Sequence, residues 1–117
     1  MRILTFATTT FLALAATTTA HAHAVLDHAE PRVGSTAPAA PREVVLTFSQ
    51  NIEPAFSSVE VSDAKGARVD QGKPVISATT MRVGLKPLPP GTYHVRWRVM
   101  SVDTHSTEGN FSFQVGK

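Results

Sequence analysis

Beyond residue 22 the chain alternates apolar and polar positions in short runs. In EVVLTFS (43–49) Val44, Leu46 and Phe48 fall on one face, and in SSVEVSD (57–63) Val59 and Val61 do the same. MRVGL (81–85) aligns Met81, Val83 and Leu85. The longest run, TYHVRWRVMS (92–101), sets Tyr93, Val95, Trp97 and Val99 against His94, Arg96, Arg98 and Met100. NFSFQV (110–115) aligns Phe111, Phe113 and Val115. A period of two marks strands with one buried face. Three stretches rich in Pro, Gly and Asp, at 31–41, 63–74 and 87–91, punctuate the runs as turns. No helical stripe of comparable length is present, so the pattern predicts an all-β single domain, an antiparallel sandwich or small barrel.

The first 22 residues read differently. Arg2 precedes an apolar, Thr-interrupted stretch from Ile3 to Ala16, and small residues lead to Ala20-His21-Ala22. Charge, apolar segment and A-x-A site together predict a secretory signal peptide over residues 1–22, cleaved after Ala22. The apolar part is short of the ~20 residues that a membrane span needs. The expected mature domain is therefore 23–117, a secreted chain. Cleavage discards His21 and makes His23 the first residue. A terminal histidine offers its α-amine and its ring Nδ1 to one metal, and an amine pKa of about 7.7–8.0 lets the metal displace its proton easily near neutrality.

Composition narrows the chemistry further. The chain has no cysteine, which excludes zinc fingers, iron–sulfur clusters and blue-copper centres. Losing residues 1–22 removes Arg2 and no acidic residue, so the formal charge falls from +2 to +1. That balance argues against nucleic acid and against a polybasic membrane patch.

SVDTHSTEGN (101–110) falls between two predicted strands and reads as the loop joining them. In an extended segment Asp103 and His105 would point the same way and could share one ion. Alone, D-x-H more often marks a polar loop whose Asp bonds its own backbone. Beside a free His23 it completes a set of three nitrogens and one oxygen. Such a set suits Cu(II), with Zn(II) as the rival metal.

HAVLDHAEPRVGS, VVLTFSQNIEPAFSSVEVSD and LPPGTYHVRWRVMSVDTHSTEGNFSFQV resemble the CopC family of periplasmic copper-binding proteins over essentially the whole mature chain. The resemblance implies a Greek-key β-barrel or sandwich of cupredoxin-like or immunoglobulin-like shape, with about seven strands. It implies one Cu(II) per chain held by His23, Asp103 and His105, and a monomer whose partner is a CopD-type inner-membrane copper transporter. Two departures stand out. Residues 51–80 contain no Met, so the Met-rich Cu(I) loop of some relatives is missing, and Gln50 stands where relatives often carry Glu. The expected function is a copper carrier or buffer in resistance or uptake, not an enzyme. The alternatives are a copper oxidase built on an N-terminal histidine brace and a plain adhesion domain. Against the oxidase, Asp103 fills the position that oxygen needs, the chain is short for a flat substrate face, and it shows no row of exposed aromatics. His28 and His94 read as surface strand residues. Ser106 and Glu108 are candidates to hydrogen-bond a ligand imidazole, and Asn110-Phe111-Ser112 reads as a chance sequon.

Overall fold

Each alternating run becomes a strand in the computed structural model, which describes residues 23–117; the expected signal peptide at 1–22 lies outside the described residues. The strands are β1 (Leu26–Glu30), β2 (Thr36–Ala37), β3 (Glu43–Phe48), β4 (Ser58–Asp63), β5 (Asp70–Ser77), β6 (Thr80–Leu85), β7 (Gly91–Met100) and β8 (Ser106–Val115). They form two four-stranded sheets, ordered β1-β3-β6-β5 and β2-β8-β7-β4. The chain crosses between sheets repeatedly, as in a Greek-key sandwich, and only the two-residue β2 pairs in parallel, with β8. Among the described residues no helix is long and apolar enough to cross a membrane.

The all-β expectation holds, with eight strands rather than about seven. The additional pairing came from stretches read as turns. β5 emerges from 63–74 as an edge strand that buries no side chain fully and breaks register between Gln71 and Val75. Little apolar periodicity could mark it. β8 starts four residues earlier than its alternation does, because Ser106 to Gly109 pair in register with Met100 to Trp97 despite a polar composition. The connection after β7 is thus Ser101–His105, half the predicted length.

The two inner faces meet in one core. Leu46, Val61, Met81, Val95 and Val99 are fully buried there. The Phe48 and Trp97 rings meet edge to face at 5.1 Å, and Tyr93 stacks on Phe113 at 5.6 Å. The Tyr93 hydroxyl donates to the Pro89 carbonyl, so the burial of this ring leaves no polar atom stranded. At one edge Asp70 staples the sheets together. Its Oδ1 accepts from Val61 N of β4 at 2.9 Å and from Arg68 Nε at 2.7 Å. The Arg68 hydrogen bond holds the Asp70 carboxyl below its ordinary range.

Trp97 dictates its neighbour. It faces Gly109 across the β7–β8 pair, and its indole lies over that residue. A Cβ on Gly109 would sit 2.5 Å from Trp97 Cζ2. Gly109→Ala should therefore destabilise the domain by about 1–3 kcal/mol, as overpacking does. Chemical denaturation of the variant checks this; an unchanged midpoint would mean that the indole moves aside without cost.

Candidate metal centre

β7 and β8 run side by side for ten residue pairs and deliver their connection, Ser101–His105, to one end of the sandwich. Their inner-facing columns are apolar until this end, where each finishes in a hydroxyl: Ser101 after Val99, and Thr107 opposite Val99. The connection is a tight turn. Thr104 N donates to Ser101 O at 2.9 Å, and Ser101 N donates to His105 O at 2.9 Å. Thr104 takes a φ of 76°, a left-handed conformation uncommon for a β-branched residue. The extended geometry expected for D-x-H is therefore corrected. A turn, not a strand period, brings Asp103 and His105 together, because the ladder stops at Met100 and resumes at Ser106.

Asp103 is the most constrained group of the turn. Its Oδ1 accepts from the Ser101 hydroxyl and, at 3.3 Å, from His105 N. Ser101 is fully buried, the one polar residue among the described residues in that class. The hydrogen bond from Ser101 is the main cause that lowers the Asp103 pKa, followed against burial by the His105 contacts. The carboxyl is thus held as an anion. Its other oxygen, Oδ2, is buried and lacks a hydrogen-bond partner, yet lies 3.3 Å from His105 Nδ1. That approach is close but not aligned as a hydrogen bond. A buried acceptor left open is costly, so it suits a cation.

The third residue arrives from the other end of the sequence. Residues 23–25 form a strap that leads into β1, and it sets the His23 ring against the His105 ring, with centroids 4.8 Å apart and planes at 85°. A metal–imidazole bond of about 2 Å puts a ring centroid about 3 Å from the ion, so two rings on neighbouring positions would have centroids roughly 4–5 Å apart. The observed spacing fits. Among the described residues no three His, Cys, Asp or Glu side chains already stand as a metal cage. The three converge in pairs instead, His23 with His105 and His105 with Asp103.

The other sequence candidates lie elsewhere. His28 faces outward from β1, 2.9 Å from Glu30 Oε1. His94 is exposed on the outer face of β7, opposite Ser62 and Ser112. The side chains of Ser106 and Glu108 are exposed and make no hydrogen bond to His105; Ser101 and Asp103 line the turn in their place. Ser101 was missed in the sequence because a serine after an alternating run reads as a strand end. Gln50 sits half-buried next to Ser49, which touches the strap.

The model of the CopC domain matches residues 26–116. The chain belongs to the CopC family. Copper resistance protein C of Escherichia coli is 34% identical over 106 residues, 82% of this chain and 83% of that protein. Copper transport protein CutJ of Bacillus subtilis is 33% identical over 85% of this chain, which spans only 19% of that protein. The crystal structure of CopC from Methylosinus trichosporium OB3b superposes with a TM-score of 0.72 at 32% identity, covering 80% of this chain and 94% of that one. The family predicted from the residues is thus the family found. The domain match begins at Leu26, three residues after His23.

Ser101→Ala should raise the Asp103 pKa, since the methyl group cannot donate to Oδ1. An NMR titration of the carboxyl in the metal-free protein measures it. A titration curve identical to that of the unaltered protein would show that the hydroxyl does not stabilise the anion.

Proposed function

We propose that this CopC-family protein is a periplasmic carrier or buffer of Cu(II), binding one ion per chain through the α-amine and ring of His23, the ring of His105 and the carboxylate of Asp103. The convergence of His23 on the turn carries the reading. The His23 and His105 rings, far apart in sequence, meet edge to face beside the turn, and His105 Nδ1 lies 3.3 Å from the open Oδ2 of Asp103, whose carboxyl a buried serine holds as an anion. Three nitrogens and one oxygen suit Cu(II), which stands highest among the divalent ions in the Irving–Williams order. The names of the relatives, a copper resistance protein and a copper transport protein, support copper as the cargo.

The amine exists only if the signal peptide is removed after Ala22. Before cleavage the His23 nitrogen is a peptide amide and only its ring can bind. Maturation in the periplasm would then switch the site on. Direct binding should occur in the Cu(II) state alone. The E. coli relative PcoC is described as methionine-rich, whereas this chain has three Met in all, and Met81 is locked in the core. Without clustered thioethers a Cu(I) site has no soft donors. The protein is read as a monomer that exchanges copper with a CopD-type inner-membrane transporter. CutJ, a much longer copper transport protein with one region like this chain, supports a copper-transport partner. A carboxylate from Asp103 as a fourth donor would leave no position for oxygen, which favours carriage over oxygen chemistry.

Two measurements test the proposal. One extra residue before His23 should weaken Cu(II) binding by more than the roughly 10–100-fold that loss of an outer-shell partner costs. Equal affinity in a competitive titration would remove the amine from the site. Separately, ascorbate added to the Cu(II)-loaded protein should release the ion completely to a Cu(I) chelator. Retention of Cu(I) would reveal a second site, and sustained peroxide production would favour the oxidase reading.

A further inference from the structure

We propose that Thr107 and Ser49 are positioning residues that clamp the amino-terminal strap and so place the His23 donor over the turn. The proposal rests on the reading of His23 as a terminal ligand.

The strap needs such a clamp because the sheet barely holds it. Its residues lie before β1, and a single backbone bond joins it to β3's end, Ser49 N to Val25 O at 2.8 Å. Its other described hydrogen bonds come from side-chain hydroxyls. Thr107 Oγ1 donates to Ala24 O at 2.7 Å. Ser49 Oγ accepts from Val25 N at 2.8 Å and stands 3.5 Å from His23 O. Ala24 is buried against the core, at 1% exposure, and so anchors the middle of the strap while leaving its first residue to these hydroxyls. His23 itself is exposed, so its own side chain contributes little to holding it in place.

The position of Thr107 is telling. It occupies an inner-face site of β8, opposite Val99, in a column that continues with Gly109, Phe111, Phe113 and Val115. A strand chosen for core packing alone would place an apolar residue there. The hydroxyl instead reaches across to the strap, two residues after His105. The same strand end therefore fixes one ligand by its backbone and the other by its side chain. Ser49 secures the strap from the opposite sheet. A ligand held only part of the time binds with an apparent affinity reduced by the fraction in place, so loosening the strap should weaken copper without disturbing the core.

The experiment compares mature proteins with a free His23: unaltered, Thr107→Val, Thr107→Ser, and Thr107→Val with Ser49→Ala. Thr107→Val keeps shape and removes the donor. Its Cu(II) affinity should fall about three- to tenfold, the scale of one hydrogen bond, and the double variant should lose more. Electron paramagnetic resonance of the double variant should show a second Cu(II) species lacking the full donor set. Thr107→Ser should bind like the unaltered protein, and the metal-free melting temperatures of all four should lie within a few degrees. The clamp is overturned if the double variant binds and resonates as the unaltered protein does. It is equally overturned if Thr107→Ser is as weak as Thr107→Val, or if weakening appears only alongside loss of the metal-free fold. A fifth protein, with one residue added before His23, separates the two ideas. If it binds as tightly as the unaltered protein, the terminal-ligand reading fails; if it is weak while the double variant is not, only the clamp fails.

Discussion

The unbroken register between β7 and β8 is the constraint on which the rest depends. Ten consecutive pairs, from Gly91 with Val115 to Met100 with Ser106, fix which side chains face the core and where the connecting turn must lie. A slip of one residue would turn Tyr93, Val95, Trp97 and Val99 outward together. The pair also demands Gly109, because the indole of Trp97 needs the space of a missing side chain. Once this hairpin is set, Asp103 and His105 have one place to be.

The hairpin supplies half of the candidate centre, and the strap at residues 23–25 supplies the other half. Apolar packing anchors both halves, through the inner columns of the hairpin and through Ala24 of the strap, but stops short of the donors. Ser101, Thr107 and Ser49 fasten the parts at the rim of the core, where hydrophobic contact gives out and hydrogen bonds take over. Ser101 is the most consequential of these. It sits fully buried, and its hydroxyl has the Asp103 carboxylate as its acceptor. Hydrogen bonds to ionised groups are worth about 1.5–3 kcal/mol, more than neutral ones. The left-handed Thr104 shows that the backbone bends to a sparsely populated conformation to make this turn.

The fold was legible wherever burial alternates, as in β3, β4, β6 and β7, since a half-buried strand writes its period into the sequence. β5 was not, because an edge strand has little apolar surface to place, and Gln71, Gly72 and Lys73 are all exposed. The beginning of β8 was hidden for a different reason. Thr107 and Gly109 face inward but serve a hydrogen bond and an indole rather than apolar packing. Of the candidate centre, His23, Asp103 and His105 could be named as residues, and the structure sets His23 against His105 and His105 against Asp103. The means of their meeting could not be read in advance. D-x-H was expected to converge as an extended segment and converges as a turn, a difference that depends on Ser101 lying inside the core. The hydroxyls that tether the strap act over 24 and 83 residues of separation, beyond the reach of any local pattern.

The path of β8 also sets the polarity of the whole domain. The strand begins beside the centre at Ser106 and ends at Val115, and at about 3.3 Å per residue it carries the chain some 30 Å away. Lys117 therefore emerges at the opposite pole from His23. The two chain ends have unequal tolerance for attachment. A linker, an affinity tag or a surface anchor joined after Lys117 would leave the metal-facing pole pointing outward and unobstructed. On the proposed reading, the same addition before His23 would consume the amine itself. For immobilising the domain on the proposed reading, the carboxyl-terminal orientation keeps the proposed donors free.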